Sequence, residues 1–215
     1  SHANMANTLS ALSIRVPDPE SVSFLAQAVA SYEAALSIYT PRDHPLDWAM
    51  TQNNKGLALQ TQGTRATDAD STLLFDEAAI AHNNALKVYT KTEYPVQWAI
   101  TQNNKANALQ LHGARRPGLK GVLLFQQSIS AYEAALEVRI RADHPVAWAT
   151  THENLAIVRK AMARNEEGSL RCGNLMAALK HVDAALEVFD PEHMSFNHEK
   201  ASALREDILA ALAKL

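Results

Sequence analysis

Small and apolar residues return every three or four positions along almost the whole chain, the period of an amphipathic helix. Phe75, Ala78, Ala79, His82, Ala85, Leu86 and Tyr89 follow it over one stretch. Trp48, Gln52, Gly56, Leu59 and Gly63 follow it over another, after Pro45, a residue suited to the first helical turn because its missing N–H would be unpaired there anyway. The pattern predicts about eight helices, at roughly 20–40, 45–63, 71–90, 95–113, 118–140, 145–163, 170–189 and 192–213. Gly63 and Gly113 read as C-terminal stops. The order expected is a first helix (A), a longer loop, a second helix (B), then a tight turn containing proline.

The pattern is itself repeated. Trp48, Trp98 and Trp148 stand 50 residues apart, each inside one phrase: His44-Pro45 to Asn53-Asn54, Tyr94-Pro95 to Asn103-Asn104, and His144-Pro145 to Glu153-Asn154. A second phrase keeps the same period, running from Ser31 to Leu36, Ala81 to Leu86, Ala131 to Leu136 and His181 to Leu186. Two phrases at one period define a two-helix unit that is copied. Residues 20–190 therefore read as the repeat array, and 191–215 as a capping helix. Its stripe of Ala201, Leu204, Ile208, Leu212 and Leu215 faces the last repeat, and Glu199, Lys200, Glu206 and Asp207 face water. Residues 5–19 read as an N-terminal extension and 1–4, ahead of Met5, as a tag remnant.

Composition narrows the function. Net charge is −3 with no basic stripe, so nucleic acid is not expected as a partner. No apolar run approaches the ~20 residues that span a bilayer, so no membrane is expected. A single cysteine, Cys172, forms no internal disulfide and, with no secretory-type N-terminus, leads to a cytoplasmic expectation.

Catalytic chemistry is not expected either. There is no glycine-rich phosphate loop, no serine elbow and no second histidine four residues after His152. His181, His193 and His198 carry no metal-ligand spacing, so neither metal nor cofactor is expected. His44 and His144 share their position with Tyr94 and read as turn packing. The cations of the Gly113–Gly121 stretch read as a solvated linker. Trp48, Trp98 and Trp148 read as the structural core of the repeats. The asparagines need a separate reason, because Asn is a mediocre helix former. Asn53, Asn54, Asn103, Asn104 and Asn154 recur in mid-helix, and an amide offers a donor and an acceptor together. They either meet a peptide backbone or bond between neighbouring helices.

Asn54-Lys55-Gly56-Leu57-Ala58-Leu59 with Gly63, and Phe75-Asp76-Glu77-Ala78 with His82, Ala85 and Leu86, resemble the two helices of a tetratricopeptide repeat. The His-Pro start and the Ala-x-Thr-x-x-Asn phrase most resemble the longer repeats of kinesin light chains and their bacterial relatives. That resemblance implies an all-α solenoid, a right-handed superhelix of antiparallel helix pairs. It implies a concave face of A helices that holds an extended peptide. Carried onto this chain, the face comprises Asn53, Asn54, Leu57, Gln60, Asn103, Asn104, Asn107, Gln110, Asn154 and Ile157, continued by Lys160. The chain departs from the family's 34-residue period: its own 50 residues place ten extra in the A–B loop and six before the next A helix. Lys55 and Lys105 stand where the family has a buried leucine and are expected to run along apolar surface to water, or to mark a slightly rotated helix. The expected role is a scaffold for an unidentified protein or peptide. The alternatives are a small-molecule sensor, a self-associating structural module, or a piece of a larger multidomain protein.

Overall fold

The computed structural model describes residues 2–17 and 20–215, without the side chains of Asp68 and Ala69. Ser1 of the expected tag remnant, and Asp18 and Pro19 of the expected extension, lie outside the described residues. Nine helices and no strand are present among the described residues: α1 (His2–Ser13), α2 (Glu20–Leu36), α3 (Pro45–Arg65), α4 (Asp68–Ala85), α5 (Pro95–Ala114), α6 (Leu119–Leu136), α7 (Pro145–Ala163), α8 (Gly168–Leu186) and α9 (Ser195–Leu212). The chain is an all-helical repeat array in which consecutive helices pack on one another within two compact units, residues 1–115 and 116–215.

The ninth helix is α1, in the stretch expected to be tag and extension. It stands one period before the A helix α3. Ala6 and Ser13 are fully buried at the positions of Gly56 and Gly63. Ser21 on α2 donates its hydroxyl to the Ser13 carbonyl at 2.6 Å. Thus α1, α3, α5, α7 and α9 are A helices and α2, α4, α6 and α8 are B helices. Sequence reading misses α1 because it carries neither the proline start nor the tryptophan.

The connections are the reverse of those expected. Only residues 66–67 separate α3 from α4, whereas residues 86–94 separate α4 from α5. The extra ten residues lengthen the helices, not the loop. Gly63 does not stop α3: a Cβ there would lie 2.7 Å from the Phe75 ring, so its glycine lets α4 approach closely. Gly56 does the same against His82, where a Cβ would lie 2.6 Å from the imidazole. Gly113 also stays inside its helix; Gly118, at φ +66°, supplies the turn into α6. The B helices end earlier than expected, within one residue of the same register in each copy, and after α2 and α4 a threonine side chain bonds the turn backbone. Thr40 Oγ1 accepts from the Asp43 N–H at 3.0 Å, and Thr90 Oγ1 from the Glu93 N–H at 3.2 Å. Ring pairs close these turns, Tyr39 with His44 at 5.6 Å and Tyr89 with Tyr94 at 6.0 Å. The next A helix then starts at proline.

Small residues set the helix spacing. Ala49, Ala99 and Ala149 on the A helices, and Ala35, Ala85, Ala135 and Ala185 on the B helices, are all essentially buried. Charged residues tie α2 to α3 and α8 to α9 at the rim. Lys55 reaches Glu33 at 2.7 Å, and Arg205 reaches Asp183 at 2.6 Å, the same positions three periods on. Lys55 is largely buried and its ammonium ends at an exposed acid.

Candidate ligand-binding face of the A helices

The mid-helix asparagines of the first unit form two similar networks, each spanning three helices. In the first, Asn7 Oδ1 on α1 accepts from the Tyr32 hydroxyl on α2 at 2.7 Å and from Asn54 Nδ2 on α3 at 3.2 Å. In the second, Asn53 Oδ1 on α3 accepts from Asn104 Nδ2 on α5 at 3.2 Å and lies 3.2 Å from His82 Nδ1 on α4. Asn53 Oδ1 is an acceptor only, so His82 carries its proton on Nδ1. Burial pushes the His82 pKa down to about 3, with the Lys105 charge adding to the effect, so the ring is neutral. Tyr32 and His82 are one period apart, as are Asn54 and Asn104. The recurring asparagine therefore donates back to an amide on the preceding A helix, which accounts for an otherwise poor helix former in mid-helix.

The second unit uses a different device. Glu153, in register with Asn53 and Asn103, is 2% exposed, and its carboxylate lies 3.1 Å from Lys200 Nζ on α9. The face of α9 expected to meet only water thus supplies the counter-charge to a buried acid. Asn154 and Ile157 are half-buried on α7, and Lys160 pairs with Asp207 of α9 at 2.6 Å.

A groove of about 280 Å³ opens between α1, α2 and α3. Asn7, Ser10 and Asn54 give it a polar wall; Ile14, Leu25 and Leu57 give it an apolar one. Leu57 and Ile14 are exposed at its mouth, while Leu25 and Tyr32 are buried. Of the residues assigned to the binding face from sequence, Asn54 and Leu57 line this groove and Gln60 is half-buried one turn on. Asn103 and Asn104 are buried in α5, and Asn107 and Gln110 are half-buried. Asn7 was not found from sequence, since the helix that carries it was read as an extension.

The tryptophans are half-buried. Trp48 and Trp98 pack on the cluster of Ala49, Ala85 and Tyr89, and Trp148 on the cluster that includes Ala149 and Val182. Two of them also meet cations, Lys91 at 6.0 Å from the Trp98 ring centre and Arg141 at 5.5 Å from that of Trp148. Trp148 also lies 4.2 Å from the His152 ring. The expected linker cations are partly structural: Arg115 donates to Ser71 Oγ at 3.2 Å.

Of the three histidines considered for a metal, His193 pairs with Asp190 at 3.0 Å and His181 with His152, Nδ1 to Nδ1, at 2.9 Å. Among the described residues no three metal-ligating side chains converge. No helix among the described residues is long and apolar enough to cross a membrane. No protein-family model matches the chain, and a search of curated proteins finds no match.

Proposed function

We propose that this chain is a tetratricopeptide-like scaffold that binds an extended peptide along its A helices, with the α1–α2–α3 groove as a docking position. The observation that carries the reading is the pairing of amides with an apolar wall. Asn7 and Asn54 meet in the groove through one hydrogen bond, and Asn54 Oδ1 also accepts from Asn53 Nδ2 at 3.5 Å, so Asn7 Nδ2 as a donor and the second lone pair of Asn54 Oδ1 as an acceptor lie beside exposed Leu57 and Ile14. A peptide backbone needs a donor and an acceptor, and its apolar side chain needs a pocket. Further exposed apolar residues recur at the start of successive A helices: Leu46 and Met50 on α3, Val96 and Ile100 on α5, Val146 on α7. On this reading the chain holds a partner and performs no chemistry, requires no cofactor, and acts in the cytoplasm away from nucleic acid and membranes.

Peptides selected from a random phage-displayed library on the full chain test the proposal. Affinity for a selected peptide is expected to fall by about tenfold or more in Leu57→Asp, which puts a charge in the apolar wall. It should be unchanged in Leu73→Asp, an exposed position on the B helix α4. Peptides that bind both variants as tightly as the parent would overturn it.

A further inference from the structure

We infer that the pocket among α7, α8 and α9 is a binding site for a small phosphate monoester with an apolar substituent. The pocket measures about 280 Å³ and is lined by Lys160, Arg164, Arg171 and Lys214, one acid, Asp207, and an apolar floor that includes Ala163, Leu175 and Ala211. It is the α1–α2–α3 groove three periods on: Lys160 stands for Ser10, Arg164 for Ile14, Leu175 for Leu25, and Asp207 for Leu57. One backbone arrangement thus carries two chemistries.

The cations are a local departure from the repeat. The position of Lys160 is Ser10, Gln60 and Gln110 in earlier periods; that of Arg164 is Ile14, Thr64 and Ala114; that of Arg171 is Ser21, Ser71 and Gly121. At the last of these, Ser21 and Ser71 are fully buried where helices touch, and Ser21 bonds to the preceding A helix. Arg171 replaces that contact with a half-buried guanidinium on the pocket wall. A helix dipole explains Arg164 and Lys214, which follow the C-terminal ends of α7 and α9, where a cation is favoured. It does not explain Arg171, which stands at the start of α8, where a cation is disfavoured.

The charge count selects the ligand. Lys160 is held by Asp207 at 2.6 Å, which neutralises one cation. Glu166, on the adjoining turn, is engaged by Asn174 Nδ2 at 2.6 Å and does not line the pocket. Arg164, Arg171 and Lys214 remain as three cations around one cavity. Three cations suit a dianion, and guanidinium groups match the oxygens of a phosphate in bidentate fashion. The floor of leucine and alanine takes the apolar part.

Calorimetric titration of the full chain with phenyl phosphate, inorganic phosphate and benzoate tests this. Phenyl phosphate should saturate one site per chain, about fivefold or more tighter than either comparison ligand, since each of those lacks one half of the match. Arg164→Ala with Arg171→Ala should weaken it by about tenfold or more, with an unchanged helical spectrum, and Lys120→Ala, an exposed cation elsewhere, should not. No saturable binding, equal binding by the double variant, or benzoate equal to phenyl phosphate would each overturn the assignment.

Discussion

At the residue scale, a side chain that looks like a ligand contact from sequence is already satisfied within the array. Asn104 is buried, and its amide nitrogen donates to Asn53 on the preceding A helix. Asn104→Ala should therefore lower unfolding free energy by about 1–3 kcal/mol, because Asn53 loses a partner inside the fold. Urea denaturation of parent and variant measures it; a loss below about 0.5 kcal/mol would mean the amide is held by water instead. What was legible in sequence at this scale was position, not partner. The period places Asn54 and Asn104 at equivalent sites, but which acceptor each finds depends on Asn7 and Asn53, which sit one helical turn apart in register. Glycines mislead for a related reason. Gly63 has the composition of a helix stop, and only the Phe75 ring beside it reveals a close helix crossing.

At the scale of elements, helix existence and the proline starts were readable, because 50-residue self-similarity reinforces weak local signals. Helix ends were not, since a helix continues or stops according to contacts with its neighbours, as Gly63 continues α3 where the Phe75 ring packs against it. Paired helices also set a dependence on pH. His152 on α7 and His181 on α8 meet at 2.9 Å, and burial lowers both pKa values, that of His181 to about 4 with His152 adding to the effect. His82 on α4 is held at about 3, chiefly by burial. A histidine with an unfolded pKa near 6.5 and a lower folded one takes up protons preferentially in the unfolded chain. Stability from these groups is complete above about pH 6.5 and falls as pH drops toward about 4 for His181 and about 3 for His82. Thermal melts from pH 7.5 to 4.5 should show a falling midpoint, with a shallower fall in His181→Asn. A pH-independent midpoint would contradict the neutral pair.

At the scale of the whole molecule, packing is between neighbours along the chain, and the two compact units each contain their own buried clusters. In such arrays stability is a sum of local terms, so damage stays near its origin. Hydrogen exchange of Asn104→Ala should accelerate in α3, α4 and α5 and stay unchanged in α8 and α9. Uniform acceleration across all helices would show one cooperative block instead.

The constant turn between B and A helices has a consequence for how such a chain changes length. His44 precedes Pro45 as Tyr94 precedes Pro95, with the same carbonyl-to-Trp N–H bond behind each, His44 to Trp48 at 2.9 Å and Tyr94 to Trp98 at 2.8 Å. Excising residues 45–94 would join α2 to α5 through a junction of unchanged shape. Asn104 would then face Asn7 and Tyr32, and Lys105 would face Glu33, as Asn54 and Lys55 do now. A gene for this array can therefore lose or gain one 50-residue period by recombination between its own copies and still encode a folded product. The shortened chain, made directly, should unfold cooperatively with the same helical content per residue as its parent.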